Sequence, residues 1–277
     1  MIIQMKSNKK PFLMWDDPGY ALITGGSAGL GEDFAHQLAE KGFTPILVAR
    51  REKKLNKVCA EIRDKFHLAA EYMIADLSIQ GDVKKVKDRV SEIENLDILI
   101  NNAGFSTRGS FLECDLEDHI KMNKVHMMTP LQLTYAGLKA MKKRGRGAII
   151  NVSSLSAFAR TKSAAVYAAT KSYLKIMTEV LDWENKGDNI RFQALCPGFT
   201  YTEFHDVGDF EDFNRDKIPK AMWMESETVV RKSLRALKRG KVVYVPGTVN
   251  KIVRFMVSLP GIGRLILNQV NKNLDGF

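Results

Sequence analysis

Residues 20–42 read YALITGGSAGLGEDFAHQLAEKG, and this stretch decides the fold. Ala21–Ile23 is a short apolar run of the kind buried on both faces of a parallel sheet. Leu30, Phe34 and Leu38 then recur at helical spacing until Gly42 ends the helix. Between them lies Thr24-Gly25-x-x-x-Gly29-x-Gly31. Glycines at this spacing let the backbone turn tightly and approach a pyrophosphate, while the opening helix points its free N–H groups at the anion. Gly25, Ser27, Gly29, Leu30 and Gly31 are therefore candidate phosphate contacts.

The same strand–helix alternation runs through the rest of the chain. Further strands are expected at 44–49, 71–76, 96–101, 147–154, 190–198 and 241–247, after the first at 20–25. Helical patterns cover 51–66, 81–94, about 117–141 and 164–186. Such alternation implies right-handed crossovers and an α/β, doubly wound, mainly parallel seven-stranded Rossmann-type sheet with helices on both faces. No linker or internal repeat divides the chain, so 1–277 reads as one domain with its core at about 18–247. Two segments depart from the pattern. Residues 199–224 are irregular and rich in Phe, Met and Trp, and the tail 248–277 carries an amphipathic pattern of Val249, Ile252, Val253 and Met256.

The second expected strand ends in LVARRE. A protein preferring NAD places a carboxylate there for the ribose 2′-hydroxyl. Arg50 and Arg51 instead suit the 2′-phosphate of NADP, because guanidinium makes bidentate, charge-assisted bonds to phosphate. The alternative is a merely basic helix start, which the helix dipole disfavours. The reading is NADP(H) in preference to NAD(H).

Composition bounds the rest. Hydrophobic residues are 45% and charged residues 27%, as in ordinary globular proteins. Cys59, Cys114 and Cys196 form no C-x-x-C, which favours a reducing, cytoplasmic setting. The N-terminus lacks the features of a signal peptide, and no apolar run suits a membrane span. The net charge of +10 is concentrated at 139–147 and 231–241. Solvated helix faces are favoured over nucleic-acid binding, because no aromatic-interleaved basic motif accompanies the charge.

One further pair completes the set: Tyr167 lies four residues before Lys171, one helical turn apart on the same face. Together, the glycine pattern at 24–31, Asn101-Asn102-Ala103-Gly104, Asn123, Ser154, Tyr167 with Lys171, and PGFTYT at 197–202 resemble the short-chain dehydrogenase/reductase family over roughly 18–247. The separation of Ser154 and Tyr167, thirteen residues, is typical of that family. The resemblance implies Tyr167 as general acid/base, Lys171 as the cation that lowers the phenol pKa and holds the nicotinamide ribose, and Ser154 as the holder of the substrate oxygen. It implies that Asn123 positions a water linking Lys171 to solvent. Asp76 and Leu77 would contact the adenine, Asn102, Ala103 and Gly104 would pack on the cofactor, and Pro197, Gly198, Thr200 and Thr202 would cradle the nicotinamide. Asn101 reads as a brace of the sheet. Spacing favours Ser154 over its neighbour Ser153.

The expected activity is interconversion of a small-molecule carbonyl and secondary alcohol, with a non-catalytic NADP-binding sensor or scaffold as the alternative. The five histidines show no metal spacing, and no G-x-S-x-G elbow supports a hydrolase. Phe105, Phe158, Phe199 and Phe204 either line a pocket for a bulky apolar substrate or pack a loop, and the sequence leaves both open. For the tail, packing on the domain or a second subunit is favoured over peripheral membrane contact. By family analogy, a homodimer or homotetramer is expected through the helices carrying Asn123 and Tyr167.

Overall fold

The structure is a computed structural model and describes residues 12–107, 109–159, 162–205, 215 and 218–259. Seven strands form one parallel sheet: β1 (Tyr20–Thr24), β2 (Thr44–Ala49), β3 (Glu71–Ile74), β4 (Leu96–Asn101), β5 (Gly147–Val152), β6 (Ile190–Leu195) and β9 (Val243–Tyr244). Their order is β3-β2-β1-β4-β5-β6-β9. The order reverses between β1 and β4, which opens a crevice beyond their carboxyl ends, where ligands of such sheets bind. A separate parallel pair joins β7 (Thr200–Tyr201) to β8 (Met224–Glu225).

The crossovers are α1 (Gly29–Ala39), α2 (Glu52–Phe66), α3 (Gln80–Glu92), α4 (Leu116–Asn123), α5 (Thr129–Arg144), α6 (Ala165–Glu184) and α7 (Ser226–Lys238). Helix α8 (Thr248–Ser258) follows β9. The helices bury their apolar stripes in two cores, one on each face of the sheet. Phe34, Leu38, Leu55, Ile62, Val229 and Leu234 meet alternate strand residues in one. Val83, Val86, Leu133 and Met141 meet Leu22, Ile46 and Leu99 in the other. Strands buried on both faces explain the continuous apolar runs.

Several expectations shift. The last strand is two residues long rather than seven. The long helical stretch is not uniform: residues Lys124–Met128 form a π-helical turn between α4 and α5. Part of the basic stretch 139–147 is not a solvated face. Arg144 and Arg146 both bond Asp97, which is fully buried, and both bond Asp17 (Arg146 Nε to Asp97 2.9 Å, Nη1 to Asp17 2.8 Å). Gly19 N–H donates to the same Asp97 carboxylate at 2.7 Å. A buried carboxylate needs such partners, and here they tie the entry of β1 to the end of α5. Of the tail, only its start lies within the described residues, as α8.

Candidate active site

The glycine turn is fixed from below by Thr24. Its hydroxyl accepts N–H bonds from Asn102 (2.9 Å) and Ala103 (3.0 Å), and the Asn102 amide donates back to the carbonyls of Thr24 (3.0 Å) and Gly25 (3.2 Å). The ends of β1 and β4 are thus locked at the switch point. A Cβ on Gly31 would lie 2.1 Å from the Gly25 carbonyl oxygen, so only glycine permits the turn to close on α1. No side chain caps the N-terminus of α1, which leaves its N–H groups to an anion. The turn fits a pyrophosphate. Leu30 packs against the apolar core beneath it.

Under the crevice, the Asn101 amide donates to Thr134 (3.0 Å) and Asn151 (2.7 Å), and Asn151 donates to Thr178 (2.9 Å). This buried ladder ties β4 and β5 to α5 and α6, which is the bracing expected of Asn101. At its upper end sits Lys171, 4% exposed, with its Nζ donating to the Val152 carbonyl at 3.0 Å. Burial pulls the Lys171 pKa down to about 8.

Tyr167 lies one turn before Lys171, whose Nζ is 5.5 Å from the centre of the phenol ring. Burial pushes the Tyr167 pKa up to about 12, against a hydrogen bond with Ser154 that lowers it. Acidification of the phenol by Lys171, expected from their pairing, is not what this arrangement produces. The ammonium is aimed at a backbone carbonyl, and desolvation of the phenolate outweighs the rest. Ser154 Oγ also accepts the Ser156 N–H at 3.1 Å. The neighbouring Ser153 is buried and donates to the Lys171 carbonyl at 2.7 Å. The two adjacent serines therefore divide the work: Ser154 faces the phenol, and Ser153 pins the helix.

Asn123 requires a correction. It is exposed, and its amide donates to the His119 carbonyl one turn back (3.0 Å). The side chain from this stretch that meets Lys171 is His126. A Cβ placed on Gly104 would lie 2.9 Å from His126 Nε2 and 3.4 Å from Lys171 Nζ, so all three crowd together. The π turn inserts an extra residue per turn and changes which side chains point inward. His126 Nε2 accepts the Phe105 N–H (3.0 Å), so its Nδ1 carries the proton toward Thr170 Oγ1 (3.0 Å). Thr170 in turn donates to the Tyr167 carbonyl (2.8 Å). Burial, with Lys171 second, holds the His126 pKa well below its usual value, so the ring is neutral. Counting back at helical spacing from Leu133 and Pro130 would have pointed to His126.

At the other end of the crevice, Arg50 is largely exposed and only 3.9 Å from Asp76. Asp76 itself accepts the Ser78 N–H (2.9 Å) and hydroxyl (2.8 Å), and Leu77 is buried, its carbonyl accepting from Thr129 at 2.9 Å. Arg51 bonds Ser27 Oγ (3.3 Å) and Glu203 (2.7 Å), and Lys54 bonds the same Glu203. Lys54 and Glu203 were not marked by the sequence, although Lys54 follows Arg51 within the first turn of α2.

The segment expected to cradle the nicotinamide is anchored at both ends. The Pro197 carbonyl accepts the Leu155 N–H (2.8 Å), Thr200 Oγ1 donates to the Gly198 carbonyl (3.1 Å), and Asn250 of α8 packs directly on Gly198. Thr202 lies against Gly29. The four phenylalanines divide. Phe204 lies 6.2 Å from the Tyr167 ring and Phe105 lies 5.7 Å from His126. Phe199 packs on Trp223 (5.2 Å), and Phe158 sits under Arg254 (4.6 Å).

The family model for short chain dehydrogenases matches residues 19–209. The chain belongs to the short-chain dehydrogenase family. It is an oxidoreductase of this family, whose members bind a nicotinamide cofactor. The very-long-chain 3-oxoacyl-CoA reductase of Rattus norvegicus is 29% identical over 261 residues, 91% of this chain and 82% of that relative. A short-chain dehydrogenase from Sphingobium yanoikuyae, solved in complex with NADPH, has a TM-score of 0.78 at 28% identity, covering 94% of this chain and 95% of the other. The bulky-bulky ketone specific alcohol dehydrogenase from Comamonas testosteroni gives 0.74 at 25% identity, covering 95% of each. Glu32, His36 and Glu61 group their ligand atoms within 4.8 Å on α1 and α2. They lie outside the constellation that carries the family's chemistry. Among the described residues no helix is long and apolar enough to cross a membrane.

Proposed function

We propose that this chain is an NADP(H)-dependent oxidoreductase that interconverts a bulky apolar carbonyl compound and its secondary alcohol. The observation carrying this reading is the Tyr167 phenol, hydrogen-bonded to Ser154 and one turn before buried Lys171.

The cofactor, when bound, supplies or accepts the hydride. The protein's part is proton transfer and placement. A phenol with its pKa raised to about 12 keeps its proton at neutral pH and can donate it to a carbonyl oxygen as negative charge develops there. Ser154 offers its hydroxyl to the same oxygen and steadies that charge. Lys171, with its ammonium on the Val152 carbonyl, would hold the nicotinamide ribose rather than acidify the phenol. His126 holds the Gly104–Phe105 turn against the catalytic turn of α6, and so fixes the distance between cofactor and acid. It takes the place that the sequence assigned to Asn123.

NADP(H) preference rests on Ser27, Arg51 and Lys54, three donors gathered where a ribose 2′-phosphate belongs. Arg50 lies instead 3.9 Å from Asp76. A bulky apolar substrate is supported by Phe204 against Tyr167 and by the substrate classes in the relatives' names. A homodimer or homotetramer is supported by the outer faces of α5 and α6, where Leu131, Tyr135, Ile176, Val180 and Trp183 are exposed. The cysteines are free, in keeping with the cytoplasm.

The test is a panel of ketones and 3-oxoacyl thioesters with NADPH, followed at the nicotinamide absorbance. Tyr167→Phe is the control. Turnover of a bulky ketone that this variant abolishes supports the reading; equal rates in both proteins would end it.

A further inference from the structure

Glu203 carries no role in the mechanism above, yet its carboxylate sits where an anionic ligand is expected. Its two oxygens are divided between Arg51 Nη1 (2.7 Å) and Lys54 Nζ. The other arm of the Arg51 fork bonds Ser27 Oγ in the glycine turn at 3.3 Å. Arg51 and Lys54 open α2, whereas Glu203 follows β7, about 150 residues further along the chain. Its neighbour Thr202 rests on Gly29, so residues 202–203 lie across the turn and end in the basic group beyond it. The three charged side chains are 42–46% exposed. Ion pairs this open to water are weak and exchange readily with a stronger anion. The two cations hold the Glu203 pKa below its usual value, Lys54 more than Arg51, so the carboxylate is charged and competent to compete.

We propose that Glu203 is a built-in competitor of the cofactor's 2′-phosphate, occupying Arg51 and Lys54 until a phosphate monoester displaces it. This deepens the NADP(H) reading and rests on it. A phosphate monoester carries more charge than a carboxylate and offers three acceptor oxygens, so it wins the seat. A dinucleotide without the 2′-phosphate leaves Glu203 in place. Glu203 therefore sets how far the protein separates the two cofactors, by taxing only the phosphorylated one.

The test uses calorimetric binding of 2′,5′-ADP and 5′-AMP to the full-length protein, which reads the seat without turnover. In Glu203→Gln, 2′,5′-ADP is expected to bind about fivefold more tightly, the size of one exposed ion pair, while 5′-AMP stays within about twofold. In Lys54→Met, 2′,5′-ADP should weaken by about tenfold more than 5′-AMP does. If the wild type prefers 2′,5′-ADP and Lys54→Met removes the preference, but Glu203→Gln changes nothing or weakens binding, the competitor role is wrong and the NADP(H) reading survives. If the wild type binds both ligands equally and Lys54→Met affects neither, the seat is not for a 2′-phosphate, and both readings fall.

Discussion

Around Lys171 the polar groups are buried and committed to fixed partners, whereas around Arg51 they are half-exposed and share them. Lys171, His126 and Thr170 are each under 5% exposed, and their bonds run to backbone atoms or to one another. Arg51, Lys54 and Glu203 keep more than two fifths of their side-chain surface in water. Burial makes each bond costly to lose and holds geometry tightly, which suits proton transfer. Exposure makes each bond replaceable, which suits a seat that must admit and release a ligand.

The largest expected effect breaks the buried end. Tyr167→Phe should lower kcat by on the order of 10²–10⁴, with NADPH binding by fluorescence retained; retained turnover would dissolve the contrast. Lys171 sharpens it through pH. Its folded pKa of about 8 lies below the ordinary 10.5, so the charge that would hold the cofactor ribose is lost as pH rises. Reduction should fall through about pH 8, and Lys171→Met should be slow at every pH without that limb. Linkage runs the other way for stability. Above pH 8 the unfolded chain binds the lysine proton that the folded one has released, so wild type should gain stability relative to Lys171→Met as pH rises toward 10.5. Denaturant melts of both proteins across this range check the sign.

His126→Ala comes next. It strands the Phe105 N–H and removes the donor to Thr170 Oγ1, for a loss of about 2 kcal/mol in stability and roughly tenfold in kcat. Measured kcat should fall with KM for the cofactor little changed. At the open end, Arg51→Ala should raise the KM for NADPH by about tenfold and Arg50→Ala by no more than about twofold, because Arg51 bonds Ser27 and shares Glu203 with Lys54. Equal effects would erase the distinction drawn between the two arginines. The smallest change in kcat belongs to Ser153→Ala, which should cost about 1 kcal/mol in a denaturant melt and leave kcat within about threefold, while Ser154→Ala costs a similar amount by removing a cap and loses activity as well.

Much of this was legible before folding. The glycine turn, the buried strands and the Ser154–Tyr167–Lys171 spacing all appear as expected, since each depends on residues near one another in the chain. Asn101 also took the bracing place read for it, whereas Asn102, read as a cofactor contact, spends its amide on the carbonyls of Thr24 and Gly25. Asn123 did not, because one extra residue in the turn at 124–128 rotates the helix and exchanges it for His126. Glu203 left no local trace, because a lone carboxylate in an irregular segment gains meaning only from cations about 150 residues away. The basic stretch ending at Arg146 misled for the same reason, since its partners Asp17 and Asp97 lie in other elements.

What the sequence determined alone was the order of elements and the types of group at their ends. Apolar periodicity and obligatory glycines are local constraints on the backbone, and they admit few folds. What tertiary structure decided was direction and company: which residue of the fourth helical stretch meets the lysine, and which carboxylate sits on the arginine. Those outcomes follow from burial and from partners distant in the chain. The same desolvation decided the chemistry of the phenol, since spacing sets a lysine beside it but only packing sets where the ammonium points.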